Sequence, residues 1–553
     1  MKKNKILFIA LVFSGFLFSC KKQLDVKNPN QPTPESAKTE SGIIALSQGS
    51  IYKSGLGTSG TKGLKYGGFN GSFWNDPVSY HDLMGDEIGV EAANQFINQF
   101  SCPDYVILDN GTKVLNPQSP GQQIALLRSV NTNANLDNNP FYYEWGYMYA
   151  MIGGCNNILS LVDGITFSGS SETRKNTIKA WAYWWKGYAY SRIGSFYYAG
   201  IITEDATGHT NGNYVSKEKI ITEANVNFDK CATALGASSS AADYTAVMGK
   251  MIPNFFQIGK GAPPTIDMWK RNINTMKARN LLVNTPSATM TPAQWNQIIA
   301  LTTDGVKASD NVFTGRSNTN SDFMGASSGC TAALTVGSEP GYRVSERLVN
   351  DFRPNDLRFA NNFQKKVDPW IGNSDRGIIF NTRYDVVDGG NGLKDGTNDV
   401  VVFGTKAIGQ YELYIAGTYE ENTMMLAEAK IHTGDVNGGL NLIDEVRHSQ
   451  GAGLAPIAGT ITDPVVAEKE LRSERRICLV FRGMSFYDAR RWGVINAEAN
   501  GGGVKNVTVV DKDGKVNKNA TIIFNYLDYW DVPDNELVYN PAATGSDPVK
   551  NPK

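Results

Sequence analysis

The chain has 553 residues, 53 basic and 54 acidic side chains, a net charge of −1 and 41% hydrophobic residues. That length can bury a full core, and the balanced charge gives neither a basic footprint for nucleic acid nor an acidic tail. Charged residues make up only 19%, while glycine (56) and aromatics (24 Phe, 24 Tyr, 10 Trp) are abundant. This excludes a disordered chain and implies a folded protein with long loops and much ring surface.

Lys2, Lys3 and Lys5 precede an apolar run from Ile6 to Phe18, broken only by Ser14 and Gly15. As a helix the run spans about 20 Å, short of a hydrocarbon core about 30 Å thick, so residues 1–19 read as a signal peptide. Its end, Leu17-Phe18-Ser19-Cys20, resembles a bacterial lipobox, where the chain is cut before a cysteine that is then lipidated. Multiple acylation of Cys20 would anchor the chain stably, because each buried CH₂ contributes about 0.8 kcal/mol and one acyl chain is marginal. Ordinary secretion with an incidental cysteine is the alternative. Cleavage there leaves 50 basic against 54 acidic side chains. Residues 20–34 are polar and proline-rich and read as a tether, leaving 35–553 as a single domain. The remaining cysteines (Cys102, Cys155, Cys231, Cys330 and Cys478) are odd in number, scattered and without a CxxC. They support neither a dense disulfide framework nor a zinc site, and Cys155 and Cys478 are expected to be buried thiols.

Taken in chain order, Tyr142–Val162 predicts a long helix with aromatics concentrated at its start. Ser170 or Ser171 caps a second, whose Ile178, Trp181, Ala182, Trp185, Ala189 and Ile193 recur at helical spacing. Residues 272–283 and 292–308 form a looser pair. Thr418 to Gln450 splits at Gly434-Asp435 into a helical hairpin about the length of a tetratricopeptide unit. Asp463-Pro464 opens a helix running to about Phe481. Segments 55–80, 200–222, 309–343, 365–410 and 500–530 are rich in Gly, Asn, Asp and Thr. Short strands are expected there, including Val507–Val510 and Lys515–Asn517 about the turn Asp513-Gly514. The expected fold is mainly α: tetratricopeptide-type helix pairs form a scaffold, with a loop-rich face carrying a few short β-strands.

Apparent catalytic motifs lack their contexts. Gly55-Leu56-Gly57-Thr58-Ser59-Gly60 matches the dinucleotide pattern GxGxxG but follows helical spacing instead of a strand. Gly325-Ala326-Ser327-Ser328-Gly329 matches the hydrolase elbow but follows a polar loop. Asp82, Asp86 and Glu87 could serve a glycosidase only if the fold set them across a bond. Asp511-Lys512-Asp513-Gly514 is too short for a calcium loop. The arginines between Arg472 and Arg491 lie among Glu470, Glu474 and Asp488, so internal ion pairs are expected.

From Asp463 onward, Glu470-Leu471-Arg472-Ser473-Glu474-Arg475-Arg476 through Phe481-Arg482-Gly483 to Asp488-Ala489-Arg490-Arg491-Trp492-Gly493 resembles the signature of the SusD/RagB family. It departs at Cys478 and Arg482, where the family usually has Glu, and at Ser485, where it usually has Arg. Met425-Leu426-Ala427-Glu428-Ala429, Leu440–Arg447, Asn355-Asp356-Leu357-Arg358, Leu83-Met84-Gly85-Asp86-Glu87 and Trp530–Pro541 resemble further blocks of that family. The resemblance implies a non-catalytic, lipid-anchored cell-surface protein of the outer membrane. It would bind an oligosaccharide or polysaccharide and deliver it to a SusC-like TonB-dependent outer-membrane transporter; no cofactor is expected and no metal-site residues are assigned, a structural cation being left open.

A pyranose can lay its C–H face on an exposed ring while amides, carboxylates and guanidinium groups satisfy its hydroxyls. Trp74, in a Gly-rich loop with Tyr66, Asn70, Phe73 and Asn75, and Trp370, followed by Arg376, are the leading candidates. Tyr342 and Trp269 are weaker ones. Trp145, Trp181, Trp184, Trp185 and Trp492 lie on expected helices and are assigned to packing. The competing functions are a surface glycoside hydrolase with paired carboxylates and a transporter partner that binds no glycan.

Overall fold

Helices dominate and pack largely in chain order. The computed structural model describes residues 36–56, 73, 77–91, 96–118, 121–315, 342–386, 393–394, 397–398 and 413–553. The expected signal peptide, the tether and Cys20 lie outside these.

The N-terminal part contains α1 (Glu40–Gly49), α2 (Pro77–Met84), α3 (Ile97–Ser101) and α4 (Gln123–Val130). The scaffold follows: α5 (Pro140–Val162), α6 (Ser171–Phe196), α7 (Lys217–Gly236), α8 (Ala241–Met251), α9 (Ile266–Val283) and α10 (Pro292–Thr303). Next come α11 (Glu346–Asp351), α12 (Leu357–Asn362), α13 (Tyr419–His432), α14 (Val436–Ser449), α15 (Pro464–Cys478), α16 (Ser485–Arg491) and α17 (Asp534–Tyr539). Helix α6 packs between α5 and α7, α7 touches α9, and α9 pairs with α10. Helix α10 leans on α13, which packs on α14 and α15. Each pair buries one face on the next, as stacked helical hairpins require.

Sequence reasons for these helices are visible at their ends. Asn139 caps α5 by accepting from the Phe141 amide, with Pro140 at the first helical position. Asp463 and Pro464 do the same for α15, and Thr291 and Gln294 form a capping box on α10; each such cap contributes roughly 1 kcal/mol. Gly434 takes φ +94° in the turn between α13 and α14, where a side chain would be strained, and Asp435 then caps α14. Helix α6 departs from the amphipathic expectation. From Ala180 to Phe196 every residue but Tyr183 is buried, Lys186 and Arg192 included, because neighbours cover it on both sides. Helices α7 and α8 were not expected; 200–222 read as loop, yet α7 begins at Lys217. Its buried Ile220, Ala224, Phe228, Cys231 and Leu235 follow the helical period.

The strands are short and mostly paired two by two: β1 (Ile88–Val90) with β7 (Tyr342–Val344), and β4 (Ala199–Ile201) with β5 (Tyr214–Ser216). Likewise β8 (Phe363–Trp370) pairs with β9 (Thr382–Val386), β10 (Leu393–Lys394) with β11 (Thr397–Asn398), and β6 (Thr314–Gly315) with β12 (Leu413–Tyr414). The hairpin expected at Asp513-Gly514 is longer than its signal: β13 (Val504–Val510) pairs with β14 (Val516–Ile523). It extends through β2 (Tyr105–Ile107) to β3 (Lys113–Leu115), making a four-stranded sheet from both ends of the chain.

Much of the ring surplus is core. Trp181, Trp184 and Trp185 are fully buried around Phe313, and the Trp181 and Trp184 indoles donate to the Ser47 carbonyl (3.0 Å) and Asn272 (3.1 Å). Trp530 packs between Phe141 (4.4 Å between centroids) and Phe196 (4.6 Å). Cys102, Cys155, Cys231 and Cys478 are buried free thiols.

Candidate functional site

The charged residues of the motifs that carry the family resemblance are spent on buried ion pairs in separate clusters. Asp488 accepts from both Arg475 (2.9 Å) and Arg491 (2.7 Å). Arg491 also forks onto Glu428 of α13, with Nη2 at 2.7 Å from the carboxylate. Burial opposes ionisation of Glu428 and Asp488, but the facing guanidinium groups outweigh it and hold both carboxyls below the usual range. Glu474 binds Arg358 (3.0 Å) and Arg447 (2.7 Å), and Arg358 also pairs with Asp356 (2.7 Å). The closing block pins the start of α5: Asp534 accepts from the Asn133 amide (2.6 Å), and Glu536 from the Trp145 indole (3.2 Å). These residues hold the fold together, and the internal ion pairs expected for the arginine-rich segment are found. Arg482, where the family usually has Glu, pairs with Glu420 at 3.2 Å.

The carboxylates considered for hydrolysis are committed to the same task. Asp86 is forked by Arg347 (2.8 and 2.5 Å). Glu87 accepts from the Phe481 amide (2.8 Å) and Asp82 from the Gly483 amide (2.9 Å). All three are buried and held by these internal partners, and Asp86 also lines a cavity of about 350 Å³. Among the described residues, no group of three or more His, Cys, Asp or Glu side chains could hold a metal ion.

Two of the sequence candidates are corrected. Phe73 is fully buried, edge-on to Tyr147 (5.9 Å) and beneath Arg192 (4.9 Å), so it packs against α5 and α6. Trp269 lies on α9, fully buried and 5.5 Å from Phe313. Neither ring has a free face. Trp74, Tyr66, Asn70 and Asn75 fall outside the described residues, as does the side chain of Tyr342.

Trp370 stands at the end of β8, opposite Thr382 of β9, and is half-buried. Pairing of β1 with β7 sets Gly89 across from Arg343, whose guanidinium lies 4.4 Å over the Trp370 ring; Phe380 tilts against it at 5.5 Å. Just beyond, Glu91 accepts from the Asn373 amide (2.7 Å), and Arg376 lies 3.9 Å from Asp375. A ring, a carboxylate and the Arg343 guanidinium thus share one ledge, with Arg376 six residues along the chain.

Trp492 corrects the sequence reading in the other direction. It is half-buried, not core, with Arg472 (4.9 Å) and Arg491 (4.6 Å) laid on its ring. It lines both a cavity of about 350 Å³ and a cleft of about 1180 Å³. Helical spacing could not reveal this, because the exposure arises where the helices meet the segments 283–288 and 528–529.

Residues 420–547 match the model of the SusD family, and no curated protein matches the chain. Among solved structures, the chain is similar to a SusD homolog from Bacteroides thetaiotaomicron, with 13% identity, 91% of this chain and 97% of that one covered, and a TM-score of 0.55. It is also similar to a SusD-like carbohydrate binding protein from Bacteroides vulgatus, with 13% identity, 92% and 98% coverage and a TM-score of 0.53. A SusD-like carbohydrate binding protein from Bacteroides fragilis is similar too, with 16% identity, 85% and 99% coverage and a TM-score of 0.52. The fold is the SusD-type helical scaffold with short strands, and the match to the family's model lies within residues 420–547.

Proposed function

We propose that the protein is a cell-surface glycan-binding lipoprotein that captures an oligosaccharide and hands it to a SusC-like TonB-dependent outer-membrane transporter, without chemistry of its own. The observation that carries the reading is the Trp370 ledge on a SusD-type fold. The half-buried indole offers apolar ring surface, while Glu91 and Arg343 supply the donors and acceptors that sugar hydroxyls require. Two of the similar solved structures are described as carbohydrate binding proteins. The lipobox at Cys20 supports anchoring at the outer membrane, facing the exterior, and among the described residues no helix is long and apolar enough to cross a membrane. Trp74, Tyr66, Asn70, Asn75, Tyr342 and Arg376 remain candidates for ligand contact. The whole of 35–553 would act as one domain on the tether 20–34.

Calorimetry of the chain against a panel of neutral oligosaccharides tests this. At least one should bind without being turned over, and Trp370→Ala should weaken it about tenfold, equivalent to about 1.4 kcal/mol. Binding unaffected by Trp370→Ala would remove the ledge from the site, and turnover of a glycan would favour the hydrolase reading. A pull-down that retains no outer-membrane barrel would refute the partner.

A further inference from the structure

The wide cleft beside Trp492 shares no lining residue with the Trp370 ledge. Its volume of about 1180 Å³ adjoins a hollow of about 240 Å³ that shares Lys217, Glu218, Asn284 and Tyr529 with it. Together they exceed the roughly 300–1,000 Å³ typical of small-molecule sites, leaving room for several linked rings.

Charge distinguishes this cleft. Its lining carries five cationic side chains (Lys217, Arg472, Arg490, Arg491, Lys553) against three acids, Glu218, Glu468 and Asp528, on a chain whose net charge is −1. Among the described residues Arg490 has no carboxylate partner; the carbonyls of Ser195 (2.6 Å), Val283 (2.7 Å) and Asp528 (3.0 Å) hold it instead. Its charge is therefore not cancelled locally. Arg491 is spent on Glu428 and Asp488. Lys217 and Arg472 lie at the surface of the cleft, 21% and 38% exposed, with one acid each.

The rings are arranged to hold these cations. Lys217 lies 4.7 Å from the Tyr529 ring and 5.6 Å from that of Tyr198, Arg490 lies 4.0 Å over Tyr529, and Arg472 covers Trp492. Such stacking orders flexible stems before a ligand arrives and leaves N–H groups at the edge. The seated cations matter here more than the ring faces. What they offer is a row of fixed positive donors, complementary to oxyanions, with Asn496 and Asn500 on the rim for hydroxyls.

We infer that this cleft binds an acidic oligosaccharide, with Lys217 and Arg472 taking its carboxylate or sulfate groups. The class of ligand rests on the glycan-binding reading above; the location does not depend on the ledge. The test is calorimetry of the full chain with a galacturonic acid hexamer, its neutral galactose counterpart and inorganic sulfate. The acidic hexamer should bind with an affinity that falls as salt rises. The Lys217→Gln/Arg472→Gln double variant should lose about tenfold or more, with an unchanged urea midpoint and unchanged binding of any neutral glycan. Failure of the acidic hexamer to bind, or indifference to the double variant, overturns the inference, as does sulfate binding as tightly as the hexamer. Neutral glycans binding while the acidic one does not would sink this inference alone. The opposite outcome would sink the ledge and leave the cleft standing.

Discussion

Glu428→Gln is the sharpest probe of the buried network. Arg491, Glu428, Arg475 and Asp488 form a closed set of two cations and two anions, and the side chains of Arg491 and Glu428 are both 0% exposed. Removing the Glu428 charge leaves two buried guanidinium groups sharing Asp488. Breaking a buried pair in this way costs about 3–5 kcal/mol, whereas replacing both partners with apolar groups of similar volume is often neutral. Glu428→Gln should therefore lower stability by about 3–5 kcal/mol, and Glu428→Leu combined with Arg491→Met should recover most of it. Urea unfolding followed by tryptophan fluorescence, with an unchanged slope, reads both. The sign with pH follows from the lowered carboxyl. The stabilisation is present above the unfolded pKa of about 4.3 and is lost as pH falls through the folded value, so variant and wild type should converge in acid. A cost under about 1 kcal/mol, a double variant no better than the single one, or a gap that widens in acid would refute the reasoning.

Glu87 behaves in the opposite sense. Burial, reinforced by Asp82, pushes its carboxyl well above the usual range, so the penalty for ionising it is absent below the unfolded pKa and complete above the folded one. Glu87→Gln should gain on wild type as pH rises from 4 to 8; urea midpoints differing by a constant amount would contradict this. At Gly85 an added Cβ would sit 2.0 Å from the Ser485 hydroxyl and 2.6 Å from its backbone carbon. Gly85→Ala should therefore cost about 1–3 kcal/mol or more, and Ser485→Gly should restore only part, since the backbone contact remains; full rescue would mean the side chain alone is in the way. Burial pushes the Cys102 and Cys155 thiols up to about 12, and those of Cys231 and Cys478 are raised as well. Iodoacetamide at pH 8 should label none of these four in the native protein and all of them in denaturant, as peptide mass spectrometry would show. Rapid native labelling would mean that the core opens.

Helices with strong local signals were legible: the caps at Asn139, Thr291 and Asp463 and the turn at Gly434. Helix α7 was missed because Gly-, Asn- and Thr-rich residues before Lys217 masked its start, although Ile220 to Leu235 carries the period. The four-stranded sheet was beyond reach, since β2 and β14 meet across about four hundred residues of sequence and register at that separation has no local signature. The candidate rings show the limit best. Trp269, Phe73 and Trp492 were sorted by whether they lay in a loop or on a helix, and the structure reverses Phe73 and Trp492 and buries Trp269.

By itself, the sequence determined the mainly helical class and most scaffold helices, and it carried the ordered motifs of the SusD resemblance, because these depend on composition and short-range spacing. Tertiary structure decided which rings are accessible and what the motif charges do. Exposure depends on which elements cover a side chain, and an ion pair such as Asp86 with Arg347 or Glu428 with Arg491 exists only once the fold brings distant residues within 3 Å. The surplus of rings visible in the composition could therefore be divided between core, ledge and cleft only after the chain had folded.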